Sequence, residues 1–96
     1  MLTVIFIAKV LTGQESAFET TLSQLAEDIA NEPGCAGVTW GPTETPGEYA
    51  LIERYKDMDA LEAHRASRHM KELGPPIFAM LDGAPVITRF VEERAL

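Results

Sequence analysis

A single cysteine, Cys35, rules out an intramolecular disulfide, and a reducing compartment is the simplest fit. Cys/His clusters with zinc spacing are missing, as is a glycine-rich phosphate loop. Neither a metal nor a flavin, haem or other cofactor is therefore expected. Basic residues are scarce: eight Lys and Arg stand against fifteen Asp and Glu. The formal net charge of -7 would repel a phosphate backbone, which excludes nucleic acid as the expected partner. Long hydrophobic runs are lacking as well. The apolar opening, Leu2 to Ala8, meets Lys9 far short of a membrane span, and it has neither a basic leader nor a small-residue cleavage site. The expectation is a cytoplasmic protein with no membrane partner. No internal repeat or low-complexity segment is evident, and 96 residues suit one domain, residues 1–96, around one core.

What is present is a sequence of strand and helix signals. Residues 2 to 10 are rich in β-branched side chains and end at Thr12-Gly13, which predicts a first strand. Thr12-Gly13-Gln14-Glu15 has the form of a capping box, so a helix is expected to begin there. Phe18, Leu22, Leu25, Ala26 and Ile29 form its apolar face, and Asn31-Glu32-Pro33-Gly34 ends it. Cys35 to Gly41 and Glu48 to Lys56 read as the arms of a hairpin turned by Pro42 to Gly47. Tyr49, Leu51 and Tyr55 share one face of the second arm, Ala50 and Ile52 the other. Asp57 can cap a second helix, and Ser67 a further stretch through Leu73. Gly74-Pro75-Pro76 is expected to interrupt that stretch before a short apolar turn, Ile77 to Leu81. Val86 to Glu92 alternates as the last strand.

The order βαββαβ predicts an α+β fold, a ferredoxin-like antiparallel sheet with helices on one face. Strand 1 is apolar on both sides, with Val4, Phe6, Ala8 and Val10 on one and Ile5 and Ile7 on the other. Large exposed apolar patches are uncommon on monomers, so two sheets packed face to face in a homodimer are expected.

The chemistry-bearing residues concentrate between Glu53 and His69. Both histidines, His64 and His69, lie there, one near the end of the second helix and one just after Ser67. An imidazole that titrates near neutral pH can serve as a general base; equally, either histidine can lock the helix junction by hydrogen bonding. Tyr55 can donate a hydroxyl to an oxygenated intermediate, or pack its ring and wet its hydroxyl. Trp40 can stack on an aromatic substrate, or serve as core or interface. Phe6, Met70, Phe78 and Met80 offer adaptable apolar lining, or ordinary core. Glu53 is expected in a cross-strand salt bridge, with orientation of a histidine as the alternative. Cys35 lacks a basic neighbour to stabilise a thiolate, so no nucleophilic role is assigned to it.

The chain resembles the antibiotic biosynthesis monooxygenase family, the dimeric α+β barrel group that includes quinol monooxygenases. The likeness is carried by the opening strand with Thr12-Gly13-Gln14-Glu15, by Glu32-Pro33-Gly34-Cys35, by Tyr49 to Tyr55 running into Asp57, and by Ala60-Leu61-x-x-His64-x-x-Ser67-x-His69. It implies a homodimer with a pocket between the sheet and its own helices. It also implies oxidation of a small electron-rich aromatic, a quinol or polyphenol, by O₂ without flavin or metal. Haem-degrading relatives carry a strand-1 Asn, a helix-2 Trp and a haem-ligating His where this chain has Phe6, His64 and Gly74, so the resemblance does not extend to haem degradation. Two other readings fit the same residues: an isomerase or lyase of a small carbonyl compound, and a small-molecule-binding dimer without catalysis.

Overall fold

The computed structural model describes residues 1–94 and Leu96. Its elements run β1 (Leu2–Lys9), α1 (Glu15–Ala30), β2 (Cys35–Pro42), β3 (Glu48–Tyr55), α2 (Met58–Arg65), α3 (Arg68–Ala79) and β4 (Val86–Val91). The strands form one antiparallel sheet in the order β2-β3-β1-β4. This is the ferredoxin-like α+β arrangement that the element order predicts. Among the described residues no helix is long and apolar enough to cross a membrane.

Register assigns the faces. Phe6 lies opposite Leu51 on one side and Ile87 on the other, and Leu51 lies opposite Trp40. Strand side chains alternate with a period of two, so Val4, Phe6 and Ala8 share a face with Tyr49, Leu51, Glu53 and Tyr55. The helices cover that face. Phe18, Leu22, Leu25 and Ile29 of α1, Leu61 of α2 and Ile77 of α3 join those strand residues in one buried cluster. The other face presents Ile5, Ile7, Ala50, Ile52, Val86 and Phe90, with no helix over it.

Asp57 and Ser67 cap their helices as expected, accepting hydrogen bonds from the amides of Ala60 and Met70. Two local expectations are corrected. Thr12 does not cap α1: the Gln14 amide donates to the Leu11 carbonyl, closing a turn through Gly13 at φ +91° that carries Thr12 away from the helix. The helix starts at Glu15 behind Gln14, which makes no side-chain cap, and the Glu15 carboxylate accepts from the Gly13 amide instead. Nor do the prolines break the last helix. α3 runs through Pro75 and Pro76 to Ala79. Gly74 has no Cβ for the following proline ring to strike, and the Lys71 and Glu72 carbonyls that lose their donors belong to exposed residues, where water can replace them.

A glycine then sets up the site. A Cβ on Gly34 would lie 2.3 Å from Cβ of Ala60, so only glycine lets the turn before β2 press against α2. The Lys56 amide donates to the Gly34 carbonyl and holds it there. That close approach brings Glu32 beside the end of α2.

Candidate active site

Two concavities meet at His64. One is a cavity of about 430 Å³ between the sheet and the helices, walled mainly by apolar side chains including Phe6, Leu51, Met70, Ile77 and Phe78. Phe6 and Phe78 meet edge to face there, their ring centres 6.2 Å apart. The other is an open polar crevice between the Glu32–Gly34 turn and the α2–α3 junction, lined by Glu32, Lys56, Asp57, Ser67 and His69. His64 lines both.

His64 is 5% exposed and its ring packs on Tyr55, 5.2 Å between centres. Its Nδ1 donates to Glu32 Oε2 at 2.9 Å, and His69 Nε2 donates to the same oxygen at 2.5 Å. The other carboxylate oxygen, Oε1, is buried without a hydrogen-bond partner among the described residues. Both of the side-chain hydrogen bonds to Glu32 among the described residues therefore come from the two rings, through the one oxygen Oε2. With Nδ1 carrying the proton, a neutral His64 has its lone pair on Nε2, the nitrogen that faces the cavity side. Nε2 stands 3.4 Å from Glu53 Oε1, longer than an ordinary hydrogen bond, which leaves it available to accept a proton.

Glu53 is the expectation that changes most. Among the described residues it forms no cross-strand salt bridge. It is buried on the helix side of β3, accepts the Tyr55 hydroxyl, and turns its remaining reach toward His64. Burial raises its pKa, while the Tyr55 hydrogen bond and the nearby imidazole oppose the rise. The Tyr55 hydroxyl is held strongly in its protonated form, by burial first and by the Glu53 carboxylate second. Burial also pushes the Cys35 thiol up.

Of the residues expected at a substrate site, His64, Phe6, Met70 and Phe78 line the cavity together. His69 lies on the crevice side and reaches His64 only through Glu32. Tyr55 stands behind Glu53, outside the cavity wall. Trp40 is on β2 against Tyr49, beside a shallow groove of α1 residues, and does not reach the cavity. Met80 caps the end of α3 and its carbonyl accepts from the Leu11 amide, again away from the cavity. Sequence reasoning missed Glu32 as a functional group and ranked Glu53 low. For Glu53 a signal existed, because its parity with Leu51 and Tyr55 puts a carboxylate on the inward face.

Glu32, His64 and His69 place one donor atom each within 4.8 Å of one another, the composition of a two-histidine, one-carboxylate metal site. Metal binding there would require both ring protons now donated to Glu32 to leave those nitrogens.

The fold and this site define a small antiparallel-sheet protein with a mainly apolar cavity between sheet and helices and a carboxylate-flanked histidine at its wall. Residues 1–74 match the family model described as antibiotic biosynthesis monooxygenase, and the chain belongs to that family. Among solved structures, it is similar to a Caulobacter crescentus protein described as an antibiotic biosynthesis monooxygenase, with 34% identity over 95% of this chain and 90% of that one and a TM-score of 0.87. Rv0793 from Mycobacterium tuberculosis has 23% identity over 98% and 96%, with a TM-score of 0.92. The N63A variant of SnoaB, a cofactor-independent oxygenase from Streptomyces nogalater, has 20% identity over 99% and 95%, with a TM-score of 0.86. At these last two identities the likeness is one of fold. No curated protein sequence matches the chain significantly. Family membership supports a monooxygenase-type role.

Proposed function

We propose that the chain is a cofactor-independent monooxygenase that oxidises a quinol or polyphenol with O₂, acting as a homodimer. The observation that carries this reading is the apolar cavity with His64 at its wall, Nδ1 engaged by Glu32 and Nε2 open to accept a proton. In the proposed reaction Nε2 takes a phenolic proton, and the electron-rich phenolate reduces O₂. One oxygen atom enters the ring and the other leaves as water. The substrate supplies all four electrons, ending as a hydroxylated quinone, so the stoichiometry needs no external reductant. The apolar wall keeps water from the oxygenated intermediate. Glu32 positions the imidazole through Nδ1, with His69 as the second donor on the same carboxylate. The dimer is supported by the uncovered apolar face of the sheet, where Val86 is 64% and Phe90 46% exposed.

The test is oxygen uptake with a panel of quinols. His64→Ala should lower turnover per folded molecule by about 10²- to 10⁴-fold. A loss of turnover that only tracks the unfolded fraction would instead make His64 a structural residue. A histidine between two carboxylates also suits proton shuttling in a small carbonyl compound. Anaerobic turnover of such a compound would move the assignment to an isomerase or lyase, and saturable binding without turnover to a binding module.

A further inference from the structure

The cavity wall is mainly apolar, yet two of the chain's eight basic residues belong to it, Arg65 at the end of α2 and Arg89 on β4. Arg89 lies opposite Val4 and next but one to Ile87, on the face that looks toward the helices. The two guanidinium groups differ in their engagement. Arg65 Nη1 is 3.0 Å from Glu62 Oε1, a carboxylate on its own helix. Arg89, among the described residues, makes no ion pair and no side-chain hydrogen bond. It is also exposed, so it borders the cavity on its solvent side, whereas Phe6, Leu51 and Ile77 of the wall are buried.

Among the described residues the one acidic side chain in the lining is Glu53, which is buried and accepts the Tyr55 hydroxyl. Glu53 is engaged by Tyr55 and faces His64, so Arg89 is the charged group of the lining without a partner among the described residues, in a chain whose overall charge of -7 would otherwise turn anions away. A guanidinium presents a planar fork of N–H donors that matches a carboxylate in two parallel bonds. An anion at an exposed mouth keeps part of its hydration, which avoids the large penalty of burying a charge.

We infer that the cavity takes an aromatic carboxylate, its rings against Phe6, Phe78 and Ile77 and its carboxylate on Arg89. This names the substrate class for the oxygenase reading above and rests on the same cavity. The volume of about 430 Å³ falls within the range of small-molecule sites, about 300–1,000 Å³. Arg89 is then the residue that selects an anionic over a neutral aromatic of the same shape, while Arg65 remains with Glu62.

Binding calorimetry separates charge from shape. With the unmodified chain, 2-naphthoate should bind about tenfold more tightly than 2-naphthamide, the size of a charged hydrogen-bonded contact. Added salt should erode the carboxylate's advantage and leave the amide's affinity unchanged. Arg89→Gln should bring the two ligands to within about twofold, and Arg89→Lys should retain part of the difference, since it keeps the charge but not the fork. Equal affinity in the unmodified chain, no binding of either ligand, or a preference that survives Arg89→Gln would overturn the assignment. Oxygen uptake with neutral quinols but no carboxylate preference would remove this inference and leave the oxygenase reading intact. A carboxylate preference without oxygen uptake under any substrate would do the reverse.

Discussion

On the helix side of the sheet Val4, Phe6, Ala8, Leu51 and Tyr55 are buried under α1, α2 and α3, and they share that face with Glu53. On the opposite side Ile5 and Ile7 alternate with them along the same strand, and Ile52, Val86 and Phe90 stand beside these two with large exposed fractions. Both faces obey the period of two, and both are apolar. Only one is covered by the chain itself. Hydrophobic alternation therefore specifies that a face should leave water, without specifying what removes it. The covered face also tolerates buried polar groups, because Tyr55 donates to Glu53 and both histidines donate to Glu32. The bare face has its polar pairing at the rim, where Arg54 forks onto Glu92 and Thr3 adds a third bond to the same carboxylate.

The sharpest way to break this comparison is a charge on the bare face. Ile7→Asp should weaken self-association by several kcal/mol, since an unpaired carboxylate would be buried between two sheets. Light scattering at micromolar concentration should then move from about twice the 10.5 kDa chain mass to the chain mass itself. A variant that associates normally would show that Ile7 is not on the interface.

A smaller effect is expected under the helices at Gly34. Gly34→Ala forces a methyl group to within 2.3 Å of Ala60 Cβ, so the turn and α2 must separate. Denaturant unfolding should show a loss of about 1–3 kcal/mol, the usual range for overpacking. The consequence for the site is more specific. Glu32 should withdraw from His64, and the nitrogen-15 chemical shifts of both imidazoles should report the loss of their shared acceptor.

The smallest effect is a pH slope from Glu53. Burial raises its pKa above the ordinary carboxylate value of the unfolded chain, so between those two values the folded state holds more protons than the unfolded one. Its contribution is complete below the unfolded pKa and declines as pH rises through the folded one. Glu53→Gln removes that titration. Thermal midpoints measured from pH 4 upward should fall less steeply with pH in the variant, and parallel curves would mean that Glu53 titrates as it does in the unfolded chain.

Much of the fold is legible along the chain. Strand positions, inward faces, the Asp57 and Ser67 caps and the α1 stripe follow from local periodicities and side-chain chemistry. The failures are local signals that neighbours overrode. Thr12 has the right spacing for a capping box, but Gly13 turns the chain before it can act. Pro75 and Pro76 carry a helix-breaking signal that Gly74 and solvent access neutralise. The site was half legible. His64, Phe6, Met70 and Phe78 were recognisable as candidates and converge, whereas Trp40 and Met80 had the right chemistry on the wrong part of the fold.

Sequence by itself determined which residues would be inward, where the helices capped by Asp57 and Ser67 would start, and that both faces of the sheet would be apolar, because each follows from a repeat of 2.0 or 3.6 residues or a cap acting over a few positions. Tertiary structure decided that Glu32 would meet His64 and His69 across separations of 32 and 37 residues, and that Arg89 would join the wall of the cavity that His64 lines. Those meetings depend on how closely a glycine lets one element approach another and on which strand lies at the sheet's edge, and no local period encodes either.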